Sequence, residues 1–285
     1  MSTEQQPTPA RSFGGVADAY DRGRPTYPRE AAVWLTSDRP VTVLELGAGT
    51  GKLTEQLVAL GHDVHATEPD PQMLAILEKK LPEVRLSQAP AEEIPAGDAS
   101  YDVVVSAQAF HWFDYDRALP EIARVLKPRG RLSLVWNQRD ERIPWVKRLG
   151  RLIGTQEHLA EPRELLERSK LFDAVEHESF RFWQVVDRGS IQDLVRSRSN
   201  VAVLSPAEQE AKMAEVLAFY DEYGRGMDGM QLPYAASCYR AEVLDRVLSP
   251  VTEKAEQTGQ AGQAEPGDNA VSDGSSTDML LIDFR

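Results

Sequence analysis

Three glycines alternate with other residues in the segment 45–51 (ELGAGTG), and this segment constrains the fold more than any other part of the chain. It follows a short apolar run, residues 41–46 (VTVLEL), which predicts a buried β-strand. Beyond it, Leu53, Leu57 and Leu60 recur at helical spacing and predict a helix. Glycines between a strand and a helix let the backbone turn sharply and approach a ligand beside the helix N-terminus.

Strand and helix signals continue to alternate along the first half of the chain, which is the order expected of a parallel sheet covered by helices. Asp70 and Pro71 predict the N-cap and first residue of a further helix. We therefore expect a doubly wound, mostly parallel α/β sheet with an inserted helical cap over residues 138–230. The predicted strands cover residues 41–46, 63–67, 84–87, 101–107 and 131–136.

The two ends of the chain differ from the rest in composition. Residues 1–12 are polar and are expected to be loose, and residues 13–240 form the predicted domain. Residues 241–285 carry nine acidic and three basic residues, and the stretch 252–277 within them has almost no large apolar side chain. Such a segment cannot bury enough surface to offset the entropy of ordering, so we expect a largely disordered acidic tail.

The charge balance excludes several functions. With 32 Lys and Arg against 45 Asp and Glu, the net charge is −13, whereas nucleic acids and anionic membranes attract clustered basic residues. The chain has no apolar stretch long enough to span a bilayer, and its one cysteine, Cys238, suits a reducing compartment. We expect a cytosolic protein, monomeric or homodimeric, that binds neither nucleic acid, membrane nor metal.

Three classes of glycine-rich loop compete for residues 45–51. A phosphate-binding P-loop requires a glycine and a Ser or Thr where this chain has Leu46 and Leu53, so that alternative fails. The dinucleotide fingerprint G-x-G-x-x-G places its third glycine at Lys52, which weakens that alternative without excluding it. Glu68 follows the second predicted strand, where an acid can hold both ribose hydroxyls of NAD or of another nucleoside.

Further segments favour one family. Residues 45–51 match the acidic-x-G-x-G-x-G loop of class I S-adenosylmethionine-dependent methyltransferases, and residues 91–114 (AEEIPAGDASYDVVVSAQAFHWFD) with 118–135 closely resemble its type 11 subgroup. Residues 12–28 (SFGGVADAYDRGRPTYP) resemble the N-terminal segment of trans-aconitate methyltransferase-like proteins. The resemblance covers about residues 13–240 and implies a Rossmann-like fold with S-adenosylmethionine as cofactor.

The resemblance also implies roles for individual residues. Gly47, Gly49 and Gly51 would line the methionine moiety of the cofactor, with Glu45 near its ammonium and Glu68 on its ribose.

On the adenine side, Met73 would pack near the ring, and Ala91 and Glu92 would border it. Pro90 departs from the family pattern, because it lacks a backbone donor expected near the adenine. Gln108, after the fourth strand, would pass under the sulfonium. In the N-terminal segment, Tyr20 and Arg24 would close over the cofactor, with Arg24 a partner for its carboxylate.

His111 is the predicted catalytic residue, because it follows the fourth strand at the edge where open α/β sheets bind ligands. It would orient or deprotonate the methyl acceptor, and the alternative is a packed aromatic that supports the loop. An ionised carboxylate needs no base, whereas a phenol or an ammonium must first lose a proton. The role of His111 therefore depends on the acceptor.

We expect methyl transfer to a small molecule, with a carboxylate oxygen as the leading acceptor atom. Two alternatives stay open: methylation of carbon or oxygen on a quinone, phenol or polyketide-like acceptor, and a regulator that binds the cofactor without catalysis. Arginines on or beside the predicted cap could receive a substrate carboxylate, although each taken singly is better explained as a solvated side chain. These are Arg139, Arg196, Arg198 and Arg240.

Overall fold

The computed structural model describes residues 17–154, 162–224 and 229–244. The segment 1–12 and residues 245–285 of the predicted tail lie outside this part of the chain. The strands within it are β1 Thr42–Leu46, β2 Asp63–Thr67, β3 Arg85–Ser87, β4 Tyr101–Ala107, β5 Leu126–Arg139, β6 Glu176–Val186 and β7 Met230–Glu242.

These strands form one seven-stranded sheet in the order β3-β2-β1-β4-β5-β7-β6. The first five are parallel, whereas β7 runs antiparallel to β5 and β6 antiparallel to β7. The strand order reverses between β1 and β4, so the loops that follow these two strands diverge and leave a crevice at the carboxyl edge of the sheet. The predicted doubly wound, mostly parallel α/β fold is confirmed.

Helices cover both faces of the parallel part of the sheet. Val43 and Val103 pack with Leu57 on one face, while Leu44 and Val104 pack against the other. The β-branched run of β4 is therefore buried on both sides, as central parallel strands require. The helices are α1 Ala17–Gly23, α2 Arg29–Leu35, α3 Thr54–Ala59, α4 Pro71–Lys80, α5 Tyr115–Val125, α6 Pro144–Ile153, α7 Pro162–Ser169, α8 Ser190–Arg196, α9 Ser199–Ala202 and α10 Pro206–Tyr223, with a 3-10 turn at Phe110–Trp112.

Helices α6, α8 and α10 enclose a second apolar core with β7. Helix α10 begins at the expected capping box, in which Ser205 and Glu208 bond each other's backbone N–H groups. Its buried face is formed by Met213, Val216 and Phe219.

Two strands went unrecognised in the sequence. The predicted helical cap, residues 138–230, contains the edge strand β6, whose side chains are mostly exposed, so that it lacks a continuous apolar signal. Strand β7 carries Pro233 and several small residues and continues through Glu242, into the segment expected to be disordered. Strand β5 also begins at Leu126, earlier than expected.

Candidate active site

The loop between β1 and α3 contains the three glycines, and all three adopt left-handed backbone conformations, with φ of 68°, 58° and 86°. A Cβ atom on Gly47 would lie 2.5 Å from the Ala109 side chain, and one on Gly51 would meet Leu77. A Cβ on Gly49 would meet nothing within 4 Å. Gly47 and Gly51 therefore pack the loop against the protein, whereas Gly49 borders open space.

Glu68 lies at the end of β2 and faces this loop. Its Oε2 accepts a 2.9 Å hydrogen bond from the Gly49 N–H, and its Oε1 accepts one of 2.9 Å from the Asp70 N–H. Burial raises the pKa of Glu68, although both backbone donors act in the opposite direction. Each carboxylate oxygen can accept more than one hydrogen bond, so Glu68 retains capacity for ligand hydroxyls.

Glu45 is fully buried on β1 beneath the loop. The Thr54 hydroxyl donates a 2.7 Å hydrogen bond to its Oε2. Burial raises the pKa of Glu45 to about 8, the Thr54 bond opposes this, and the charge of Glu68 adds to it. Two acidic side chains close to one loop favour a ligand with a cationic group, because a positive charge would stabilise both ionised forms.

Helix α1 crosses the glycine loop and is tied to it by charge. Asp21 accepts a 2.8 Å hydrogen bond from Lys80 of α4 and lies 3.8 Å from Lys52. Lys80 also donates a 3.0 Å hydrogen bond to the backbone carbonyl of Thr50 within the loop. The sequence does not indicate that Asp21 and Lys80 meet, because they lie on separate helices far apart in the chain.

Tyr20 and Arg24, predicted to close over the cofactor, are neighbours on and just after α1. The Arg24 guanidinium lies 5.1 Å from the centre of the Tyr20 ring. Burial raises the pKa of Tyr20, the charge of Arg24 lowers it, and that of Glu68 raises it. Arg24 donates hydrogen bonds of 2.9 Å to both the hydroxyl and the backbone carbonyl of Ser197. These bonds connect Arg24 to the residue that follows α8.

The three residues predicted for the adenine side lie in different surroundings. Met73 is buried in the first turn of α4, where its N–H bonds the capping Asp70. Ala91 is buried in the apolar core. The Glu92 carboxylate accepts a 2.7 Å hydrogen bond from the Asp114 N–H, so it supports the loop before α5.

Gln108 follows β4 with φ 58°, an uncommon conformation outside glycine that often marks functional sites. Its side-chain amide donates a 3.2 Å hydrogen bond to the backbone carbonyl of Asn137. The side-chain amide of Asn137 in turn donates a 3.1 Å hydrogen bond to the backbone carbonyl of Thr26. These bonds link the ends of β4 and β5 to the segment after α1. Asn137 and Thr26 were not recognised from the sequence.

His111 lies in the 3-10 turn beyond Gln108. The Trp136 indole N–H donates a 3.5 Å hydrogen bond to its Nδ1, and its ring centre is 4.6 Å from that of Trp112. Trp112 is 40% exposed, whereas Phe110 is buried among aromatic side chains. Phe110 therefore anchors this turn, and His111 and Trp112 lie nearer the solvent.

The site fits S-adenosylmethionine in three respects. Gly49 leaves open space at the loop, Glu68 offers acceptors for ribose hydroxyls, and Glu45 and Glu68 suit the positive charges of the ligand's ammonium and sulfonium. Within residues 17–154, 162–224 and 229–244, no cluster of three or more His, Cys, Asp or Glu side chains is arranged to hold a metal ion. Helices in the same ranges include none that is long and apolar enough to cross a membrane.

The chain is similar to known methyltransferase sequences. A family model described as a methyltransferase domain matches residues 44–134, from β1 to β5. An uncharacterized methyltransferase of Mycobacterium tuberculosis (strain ATCC 25618 / H37Rv) is 44% identical over 234 residues, which cover 81% of this chain and 95% of the relative.

Solved structures agree with this result. A candidate type II methyltransferase from Anaeromyxobacter dehalogenans aligns with a TM-score of 0.54 and 25% identity over 76% of this chain and 97% of that one. A phosphoethanolamine N-methyltransferase of Haemonchus contortus, in complex with S-adenosyl-L-methionine, shares the fold, with a TM-score of 0.51 and 16% identity over 85% of this chain and 61% of that one. The chain belongs to the class I methyltransferases, and its methyl donor is S-adenosylmethionine.

Proposed function

We propose that this enzyme methylates a small organic molecule at a carboxylate oxygen. The observation that carries the choice of acceptor atom is the hydrogen bond from the Trp136 indole to His111. An indole N–H only donates, so Nδ1 of His111 is the acceptor and the neutral ring holds its proton on Nε2. A histidine with this tautomer presents an N–H donor, which orients an acceptor oxygen and does not deprotonate it.

A carboxylate suits this arrangement because it is already ionised at neutral pH, whereas a phenol requires a base. When bound, S-adenosylmethionine supplies a methyl group activated by its sulfonium. The protein's own task is to align the acceptor and exclude water. In this proposal His111 holds the acceptor oxygen, and Gln108 shapes the wall between the ends of β4 and β5.

In this proposal, five residues keep their predicted roles toward the cofactor. Glu68 holds the ribose, Glu45 stabilises the ammonium, and Gly49 leaves room for the methionine moiety, while Tyr20 and Arg24 cover them. The trans-aconitate methyltransferase-like subtype stays a prediction. We also propose that the enzyme is cytosolic, since Cys238 is a free, buried thiol that suits a reducing compartment. Its proposed state is a monomer or a homodimer.

The test is an assay of S-adenosylhomocysteine release with separate pools of carboxylic acids, phenols and amines. We expect turnover in the carboxylic acid pool, with a rate that stays flat above the pKa of the acceptor. Turnover of phenols alone, with a rate that rises with pH and depends on His111, would replace this proposal by the phenol or quinone alternative. Cofactor binding without turnover in any pool would favour a regulator.

Two variants separate the roles of the residues. His111→Gln retains a side-chain donor and should keep more turnover than His111→Ala. Glu68→Ala should abolish S-adenosylmethionine binding in calorimetry. If His111→Ala turned over at the wild-type rate, His111 would have no part in the mechanism.

A further inference from the structure

Arg139 is almost completely buried, although arginines rarely are. It is the last residue of β5. Its Nη2 donates a 2.9 Å hydrogen bond to the Gly154 carbonyl and lies 3.3 Å from the Glu141 carboxylate. Arg139 and Asn137 lie on the same face of β5, two residues apart, and the side chain of Asn137 bonds the segment after α1. Arg139 therefore lies at the carboxyl edge of the sheet, on the face that the segment after α1 contacts.

Arg198 approaches the same place from the loop between α8 and α9. Its Nε lies 3.7 Å from the position that a Cβ on Gly154 would occupy, and the Gly154 carbonyl is the acceptor for Arg139. Arg24 bonds Ser197, the preceding residue. Three arginines from distant parts of the chain thus gather around Gly154 and Ser197.

Tyr234 adds a phenol to this group. It pairs with Arg139 across β5 and β7, it is 4% exposed, and its ring stacks on Phe182 at 5.4 Å. Burial raises the pKa of Tyr234, and the charges of Arg139, Arg24 and Arg198 lower it. The phenol therefore stays protonated at neutral pH and can donate a hydrogen bond.

The arginine charges act on one another. Burial, together with the charges of Arg139 and Arg24, lowers the pKa of Arg198 to about 10, against smaller opposing effects of Tyr234 and Glu141. Like charges that lie close together and partly out of water are stabilised by an anion that accepts hydrogen bonds from them.

The other two arginines considered in the sequence contact residues outside this group. Arg196 is about half exposed and contacts Asp193 and Gln192 on its own helix. Arg240 stacks on Trp34 and pairs with Glu176. The burial of Arg139 and the approach of Arg198 to it thus select these two arginines.

We propose that Arg139 and Arg198, with the Tyr234 hydroxyl, bind an anionic group of the methyl acceptor. The acceptor is then an organic acid that carries a carboxylate apart from the atom that receives the methyl group. This inference rests on the proposed function. The chemistry is shared with the carboxylate of the cofactor itself, so the experiment separates these two sources.

The experiment uses the full chain saturated with S-adenosylhomocysteine, with succinate as the probe and its neutral diamide, succinamide, as the ligand control. Calorimetry at constant ionic strength should show succinate binding and no succinamide binding. Arg139→Met and Arg198→Met should each weaken succinate binding by at least about tenfold. Arg196→Met, a substitution of the same type outside the group, should leave it unchanged.

Tyr234→Phe removes only the hydroxyl and keeps the ring stacked on Phe182, so it tests the site even if Arg139→Met does not fold. It should also weaken succinate binding. The affinities for S-adenosylhomocysteine and for methylthioadenosine, which lacks the amino acid part, are measured on each variant and should both be unchanged.

Two results would overturn the proposal while leaving the proposed function intact: no succinate binding to a protein that binds S-adenosylhomocysteine, or equal succinate binding by all variants. A loss of S-adenosylhomocysteine affinity in Arg198→Met, with methylthioadenosine affinity retained, would assign the site to the cofactor carboxylate instead. Failure of the wild-type protein to release S-adenosylhomocysteine from any acceptor pool would count against the proposed function itself.

Discussion

The backbone N–H of Gly49 donates a 2.9 Å hydrogen bond to the Glu68 carboxylate, which joins the glycine loop to the end of β2. Both residues were predicted to contact the cofactor, one at its methionine part and one at its ribose. The hydrogen bond holds the carboxylate beside the open space at Gly49. It therefore prepares the site before the ligand arrives, which lowers the entropic cost of binding.

The glycines of the loop should respond differently to substitution. Gly49→Ala places a methyl group in open space, so it should cost only about 1–2 kcal/mol through its left-handed backbone and should weaken S-adenosylmethionine binding strongly. Gly51→Ala meets Leu77 in addition and should lower the free energy of unfolding further. Chemical denaturation and calorimetry measure the two effects.

Gly61 supplies the matched control for this pair. It is also left-handed, with φ 81°, but it lies after α3, and an added Cβ would come no closer than 4.0 Å to Pro40. Gly61→Ala should therefore lose about as much stability as Gly49→Ala and keep its cofactor affinity. Equal cofactor affinity in these two variants would show that Gly49 does not border the ligand.

Cofactor binding should release a proton from Glu45. Its pKa of about 8 in the free protein leaves it mostly protonated at neutral pH, and a cation bound nearby would favour the ionised form. Titrations at pH 7 in two buffers of different ionisation enthalpy should therefore give different apparent heats. Glu45→Gln should remove the difference, whereas Glu30→Gln, an exposed control on α2, should not.

The ion pair between Asp21 and Lys80 should hold α1 over the glycine loop. Asp21→Asn should speed hydrogen exchange in residues 17–23 and weaken cofactor binding by the equivalent of about 1 kcal/mol. Asp18→Asn, an exposed change on the same helix, serves as the control. Unchanged exchange in Asp21→Asn would mean that other contacts hold α1 in place, such as the ion pair of Arg22 with Asp193 on α8.

His65 should make the protein less stable in mild acid. It lies between the Tyr101 hydroxyl at 2.6 Å and the Ser87 hydroxyl at 2.8 Å, and burial lowers its pKa to about 4. Below pH 6.5 the unfolded chain therefore binds more protons than the folded protein, and the free energy of unfolding falls as pH falls toward 4.

Urea unfolding at pH 7 and pH 5 measures this effect. Between these pH values the wild-type protein should lose about 2 kcal/mol more than His65→Gln, which cannot take up a proton. The comparison cancels the contribution of the carboxylates, which both proteins share. Equal losses would mean that His65 is not shielded from water.

The first five strands were predictable because their signals are local. The run 101–107 has three consecutive valines at its centre, because β4 is buried on both faces there. Asp70 caps α4 by accepting hydrogen bonds from the N–H groups of Gln72 and Met73, which lie two and three residues further along the chain. Strand β6 was not predicted because most of its side chains are exposed, so its sequence has no continuous apolar run. Strand β7 lies between β5 and β6, but Pro233 and its small residues give only a weak strand signal in the sequence.

From the sequence alone, the alternation of strand and helix signals predicted the sheet, and the glycine loop, Glu68 and the family resemblance of residues 12–28 and 91–135 together predicted the cofactor. The pattern of residues could not distinguish the buried Arg139 from the exposed Arg196, nor join Asp21 to Lys80. Glycine conformation and strand periodicity depend on residues a few positions apart. The surroundings of a charged side chain depend on strand order and helix packing, which bring distant residues such as Arg24 and Ser197 together.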